Sequence, residues 1–365
     1  MSRCFPLVAC FLVLSMPRIS LAQGNGTEGD SASLVSRAVI RLVELQEEDG
    51  AWPYEGVYRV GGEIPVGYRI VGTAIVCDAL LTAAQGEDET TCQDAVQRGI
   101  ALILQELDHP LMKPSTENRY DVRVWGHIYA LNLFCKIQSD EQALVSEQQR
   151  QRIETWIEKL TSALIEQEIE GGGWNYANQV RHAAFVTAPA VQALLAARSA
   201  GQQVPDDLFQ RAAKVLQNSR SADGAYAYSG TNPGDRMSKL PGSIARSAIC
   251  ETTLLLLEQG SVEDLQKAID GFHTHWNELE KRRKKTGTHK PPYGVAPYYF
   301  YYGHRYLAQA ISMLPEEQRD AEYRRFDAVL MKTKDNDDTW NDRVFDRSKA
   351  FGTAMAVLAL QADRQ

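Results

Sequence analysis

The nine residues Gly72-Thr73-Ala74-Ile75-Val76-Cys77-Asp78-Ala79-Leu80 recur as Val186-Thr187-Ala188-Pro189-Ala190-Val191-Gln192-Ala193-Leu194 and as Gly352-Thr353-Ala354-Met355-Ala356-Val357-Leu358-Ala359-Leu360. Looser copies begin at Gly126-His127-Ile128, Arg246-Ser247-Ala248 and Gly303-His304-Arg305. The six starts, at 72, 126, 186, 246, 303 and 352, are separated by 54, 60, 60, 57 and 49 residues. A nearly constant period of this size marks a chain built from repeated supersecondary units.

Each copy is apolar almost all round, the pattern of a helix buried on every side. Between the copies lie charged, amphipathic segments: Ser33 to Gln46, Cys92 to Leu107, Ser146 to Glu168, Asp206 to Gln217, Val262 to Glu280 and Pro315 to Lys332. These need cover only along one stripe, and no segment of note has the alternating period of a strand. Six buried and six half-buried helices in alternation predict an all-α (α/α)6 toroid, with an inner ring inside an outer one. An open solenoid would need atypical capping repeats at its ends, and the chain has none.

A second repeat marks the passage from outer to inner helix. Gln46-Glu47-Glu48-Asp49-Gly50-Ala51-Trp52 recurs as Gly171-Gly172-Gly173-Trp174, Asp223-Gly224-Ala225-Tyr226 and Asp337-Asp338-Thr339-Trp340. Asp-Gly stops a helix with a left-handed residue, and the aromatic ring then covers the helix end. With the Gly/Ala-rich inner helix behind it, Gln-x-x-Asp-Gly-x-Trp resembles the repeat of the terpene cyclase (squalene and hopene cyclase) and protein prenyltransferase superfamily. That resemblance implies a single α/α-toroid domain over residues 31–365.

The catalytic groups of that superfamily do not carry over as a set. Its cyclases protonate substrate with Asp-x-Asp-Asp; Asp335-Asn336-Asp337-Asp338 has those letters but occupies a turn slot before Trp340, so Asp337 is a weak acid candidate. Its prenyltransferases hold zinc with an Asp and a Cys after Arg-x-x-Lys-Leu, plus a His on the next inner helix. Arg236-Met237-Ser238-Lys239-Leu240 and His304 match, but the other two ligand positions read Gly242 and Ile244. The resemblance therefore implies no zinc site and leaves Arg236 and Lys239 as a cationic pair. No cofactor is expected.

The residue after each repeat start is polar: Thr73, His127, Thr187, Ser247, His304 and Thr353. These are expected to face the central cavity. His127 and His304, three units apart, would stand on helices whose axes are roughly 16 to 20 Å apart, too far to share a metal easily. They remain weak catalytic candidates beside the reading as hydrogen-bonded core histidines. Near the starts gather Tyr68, Arg69, Arg123, Arg181, Arg236, Lys239 and Arg246, alongside Tyr298, Tyr299 and Tyr301. Inner helices running one way bring their N-termini to one mouth, where the dipoles favour an anion. Pairing of these cations with loop acids such as Asp49 is the competing reading. Lys281-Arg282-Arg283-Lys284-Lys285 reads as a solvated helix end.

The 365 residues are 44% hydrophobic and 24% charged, with a net charge of −8. That is globular composition without a bulk attraction to nucleic acid or anionic membrane. Residues 1–22 combine Arg3, the apolar run Phe5 to Met16 and the small-residue end Ser20-Leu21-Ala22, which predicts a secretory signal cleaved after Ala22. Residues 23–30 read as a flexible leader, and no integral span is expected. Secretion or a periplasmic location puts Cys77, Cys92, Cys135 and Cys250 in an oxidising compartment, where Cys92 and Cys135 could bridge across one hairpin. Two function classes follow. The first is an exported binding protein whose mouth takes an anionic small molecule, glycan or peptide. The second is a secreted enzyme, a lyase or hydrolase of acidic polysaccharide with Trp52 and Tyr68 stacking on sugars, or a divergent isoprenoid-processing enzyme.

Overall fold

The computed structural model describes residues 28–56, 61–83, 89–114, 122–140, 143, 145–176, 180–230 and 239–362. Among these residues twelve α-helices alternate between two layers. The outer helices are α1 (Glu28–Glu44), α3 (Glu89–Glu106), α5 (Glu147–Glu166), α7 (Asp206–Ser219), α9 (Val262–Glu280) and α11 (Glu316–Leu330). The inner ones are α2 (Val66–Ala83), α4 (Arg123–Ser139), α6 (Ala184–Ser199), α8 (Leu240–Leu256), α10 (Phe300–Ser312) and α12 (Lys349–Leu360). Each inner helix packs on the next, and α12 returns to α2, while α1 covers that seam by touching both. The architecture is the closed α/α toroid expected from the repeat.

Burial explains the two patterns. Residues Ile70 to Cys77 of α2 are all buried, because neighbours enclose this helix on every side. In α7 only Leu208, Phe209, Ala212, Ala213, Val215, Leu216 and Ser219 are buried, a stripe at helical spacing. Helix α1 begins at Glu28, inside the stretch read as a flexible leader; its acidic residue types suit a helix N-terminus.

The four turns share one backbone hydrogen-bond pattern, and the three that carry Trp share a side-chain one as well. Gly50, Gly172, Gly224 and Asp338 all have positive φ, at 91°, 112°, 81° and 59°, and Asp is one of the few side chains that tolerate this conformation. Trp52, Trp174 and Trp340 are fully buried. Their indole N–H groups donate to the carbonyls of Leu42, Leu164 and Leu330 at 2.7, 2.7 and 3.4 Å. Each thereby satisfies an acceptor that the end of an outer helix leaves orphaned.

The backbone N–H of each Trp donates to the hydroxyl of Thr73, Thr187 or Thr353, each at 3.0 Å. The repeated polar position therefore points outward to the turn and not, as expected, into the cavity. The reason is local: the turn's buried amide needs an acceptor, and the Thr of the inner helix supplies it. Close seating of turn on helix also fixes Gly72 and Gly352. A Cβ at either would stand 2.1 or 2.3 Å from the carbonyl oxygen of Trp52 or Trp340.

All four described cysteines are buried, and Cys92 and Cys135 do not form a disulfide. They pack as small hydrophobes.

Candidate ligand cavity

At the end of the ring where the inner helices begin, their first turns enclose a cavity of about 290 Å3. Its walls follow the repeat, displaced by one residue from the polar position's neighbour. The residues just before the aligned starts include Val71, Trp125, Phe185, Tyr302 and Phe351, all of which line it. Each stands two residues before the outward-facing polar position, and two residues rotate a helical side chain by about 200°, from the outward face to the central one. The sixth such residue, Ala245, is small and does not reach it. A second set comes from the turns: the residue two beyond each turn aromatic is Tyr54, Tyr176 or Tyr228. Tyr68, Tyr129, Tyr298, Tyr299 and His289 complete an almost wholly aromatic lining, with Gly56 and Thr288 at its edge.

The rings form a continuous lattice. Trp125 stacks on Tyr129 at 5.6 Å and reaches Phe185 and Tyr302, each at 6.0 Å between centroids. Phe185 stacks on Tyr228 at 5.1 Å, and Tyr54 lies against Phe351 at 4.3 Å. Most hydroxyls are spent on one another. Tyr176 and Tyr228 are 2.9 Å apart through their oxygens, Tyr129 and Tyr306 3.0 Å. Tyr298 and Tyr299 meet Nε2 of His289 at 3.0 and 2.9 Å, and the Tyr302 hydroxyl donates to the Phe185 carbonyl at 2.8 Å. Burial raises the phenols of Tyr129, Tyr176, Tyr299 and Tyr302 well above the ordinary value, so all stay neutral. No Asp, Glu, Lys or Arg is among the described lining residues.

One carboxyl group stands close behind this wall. Asp342 occupies, after Trp340, the repeat position that Tyr54, Tyr176 and Tyr228 hold after their own turn aromatics. It is fully buried, and among the described residues no side chain hydrogen-bonds either carboxylate oxygen, though the backbone N–H groups of Asp342 and Tyr301 act on the group; the hydroxyl of Tyr54 has no partner. Burial pushes the Asp342 carboxyl up to about 7, against the opposing pull of Arg343. The repeat register could have singled it out, as the acidic exception in a tyrosine position.

The residues expected at the site are mostly elsewhere. Tyr68 lines the cavity, and Tyr298 and Tyr299 of the neighbouring aromatic group do too. Arg69 instead pairs with Glu106 at 2.6 Å and Asp49 at 2.8 Å. Arg246, buried, donates to the carbonyls of Tyr226 at 3.0 and 2.8 Å and Gly242 at 2.9 Å. Arg123, also buried, donates through Nε to the Gln167 side chain at 3.1 Å. Arg181 and Lys239 are exposed, and Arg236 lies outside the described residues. The cations thus brace the rim, because loop acids and carbonyls compete for them on the way to the centre.

His127 and His304 are core histidines. The Gln167 amide nitrogen donates to Nδ1 of His127 at 2.8 Å, and Nε2 donates to the Met112 carbonyl at 2.8 Å. Nδ1 of His304 donates to the Phe300 carbonyl at 2.7 Å, and Nε2 accepts from the Trp276 indole at 3.0 Å. Burial brings His127 down to about 4 and His304 to about 3, so both are neutral near pH 7 with both nitrogens engaged. Asp337 sits on the partly exposed turn with Lys349 at 3.1 Å. Burial raises its carboxyl, but hydrogen bonds from Thr339 and Lys349 outweigh that and bring it to about 2, the reverse of what a general acid needs. Trp52 is sealed in its turn and cannot stack on a sugar. No group of three or more His, Cys, Asp or Glu among the described residues could hold a metal ion.

No protein-family model matches the sequence, and no curated protein does. Solved structures match its shape. An α-1,6-mannanase of Salegentibacter, in complex with α-1,6-mannotriose, aligns with a TM-score of 0.60 and 14% identity over 91% of this chain and 99% of its own. A type II terpene cyclase of Scytonema, holding geranylgeranyl dihydroxybenzoate, aligns at 0.55 and 14% over 92% and 97%. A D-mannose isomerase aligns at 0.54 and 15% over 92% and 99%. At such identities the likeness is one of fold.

Proposed function

We propose that the aromatic cavity binds an apolar, unsaturated ligand of the isoprenoid class. The observation that carries this reading is the lining itself: twelve of its fifteen described residues are aromatic or His, none of the fifteen is Asp, Glu, Lys or Arg, and the hydroxyls largely satisfy each other. A sugar would need converging unpaired donors and acceptors, and hydrolysis of a glycosidic bond a pair of facing carboxyl groups. Aromatic faces suit alkene and methyl surfaces, and attract any positive charge that develops between them. The terpene cyclase among the similar structures holds a geranylgeranyl ligand in the same fold. Within this reading Asp342, buried behind the wall beside Tyr54 and pushed up to about 7, is a candidate group for proton transfer. Export after cleavage at Ala22 would place this activity outside the cytoplasm.

Trp125 is the one tryptophan among the described lining residues, so binding is readable from its fluorescence. Titration with farnesol and geranylgeraniol is expected to change the emission saturably, and Trp125→Phe to remove the change. α-1,6-Mannotriose and polyuronate are expected to leave it unaltered. Saturable responses to the glycans with none to the prenyl alcohols would overturn the assignment.

A further inference from the structure

At the other end of the ring, where the inner helices finish, a depression of about 220 Å3 opens between α2, α4, α10 and α12. It shares no described lining residue with the aromatic cavity. Asp78 and Thr82 of α2, Lys136 of α4, and Arg305, Gln309 and Ser312 of α10 supply most of its polar groups, with Gln361 exposed at the rim. Leu358 and Ala362 give it an apolar side.

The polar groups are not equally committed. The Lys136 ammonium donates to the Asp78 carboxylate at 2.5 Å, the Thr82 hydroxyl at 2.5 Å and the Asp78 carbonyl at 3.4 Å, which uses all three of its N–H bonds. Gln309 donates to the Gln192 side chain at 3.0 Å, and Ser312 to the Gln309 carbonyl at 2.8 Å. Arg305 is the exception. Among the described residues its guanidinium has no hydrogen-bond acceptor and no ion-pair partner, and the side chain is only half-buried, with none of its nitrogens sealed from the surface. Asp78, the one carboxylate in the described lining, is held by Lys136 and makes no ion pair with Arg305.

The helix ends account for one cation and not the other. Lys136 stands three residues before the end of α4, where a positive charge suits the dipole. Arg305 stands seven residues before the end of α10, two turns back, beyond the last turn in which that effect acts. Its planar fork is preorganised for the two oxygens of one carboxylate. Lys136 and Asp78 cancel, so the lining carries one unbalanced positive charge, which a single carboxylate neutralises. A doubly charged phosphate would exceed it and meet the Asp78 carboxylate. We propose that this depression binds a small, singly charged organic acid, its carboxylate on the Arg305 guanidinium and its short carbon chain against Leu358 and Ala362. The site lies outside the aromatic cavity and does not depend on the isoprenoid reading.

Butyrate, acetate and inorganic phosphate are the probes. Each is titrated into the purified protein at pH 7 and constant ionic strength, with chloride as the reference, and followed by calorimetry and thermal unfolding. Butyrate is expected to bind saturably and raise Tm, acetate to bind more weakly because it lacks the apolar contact, and phosphate to bind weakest. Arg305→Met, close in length and uncharged, is expected to weaken butyrate binding about tenfold or more. Arg305→Lys keeps the charge without the fork and is expected to fall between the two. Absence of saturable butyrate binding to the unmodified protein overturns the proposal, and this measurement needs no variant to fold. Phosphate binding tighter than butyrate overturns it too, as does butyrate binding by Arg305→Met as tight as by the parent. The Trp125 response to prenyl alcohols comes from the other cavity, so the two readings fail separately.

Discussion

Replacing Asp342 by Asn should stabilise the protein in alkaline buffer and do almost nothing in acid. A free Asp ionises near 3.8, whereas burial pushes this carboxyl up to about 7 in the folded chain. Its folded form therefore binds a proton that the unfolded form releases, and stability falls as the pH rises from about 4 through 7. Roughly three pH units at 1.36 kcal/mol each amount to about 4 kcal/mol by pH 8. The attraction to Arg343 is already inside that figure, because it is one of the influences holding the carboxyl down. Asn has the same shape and cannot ionise, so it removes the penalty. The measurement is urea unfolding of both proteins at pH 4.5, 6 and 8, compared through their midpoints. The variant's advantage should grow from under about 1 kcal/mol to about 4 kcal/mol across that series. A gap that stays constant with pH, or a variant less stable than the parent at pH 8, would refute the assignment of Asp342 as a buried, strained carboxyl.

Gly72→Ala should cost about 3 kcal/mol or more, since the new methyl meets the Trp52 carbonyl and not a movable side chain; a Tm within a degree or two of the parent would contradict the close seating of turn on helix. The imidazoles of His127 and His304 should stay neutral from pH 8 down to 5 by NMR, because burial lowers both. Being lowered, they withdraw stability as pH falls below about 6.5, and a midpoint near 6.5 for either ring would show that it is solvated. Mass spectrometry of exported protein should give an N-terminus at Gln23, and an intact Met1 on such material would count against the signal assignment.

Much of the fold was legible because its cause is periodic. Gly72, Val186 and Gly352 head helices that are apolar on every side, and only a closed ring hides all of them at once. The turn was legible for a similar reason: Asp-Gly and Trp at fixed spacing solve one local problem, the capping of an outer helix, wherever it arises. The site was read less well, because a list of residue types does not say which way a side chain points. Thr73, Thr187 and Thr353 stand out as polar, but their hydroxyls answer to the amide of a Trp 13 or 21 residues earlier. The neighbouring Val71, Trp125, Phe185, Tyr302 and Phe351 looked like ordinary core.

Tertiary structure decided three things that composition left open. It turned Arg69 and Arg246 to acceptors at the rim, since burying an unpaired cation costs more than any distant ligand returns before it arrives. It spent the nitrogens of His127 and His304 on carbonyls and side chains from neighbouring segments. And, among the described residues, it left the adjacent side chains of Asp342 and Arg343 buried with no side-chain hydrogen bond to either. Periodicity fixes which faces must be dry, because hydrophobic burial is additive and has no direction. Hydrogen bonds are directional and compete for partners across the whole ring, so the chemistry of the site exists only once the ring has closed.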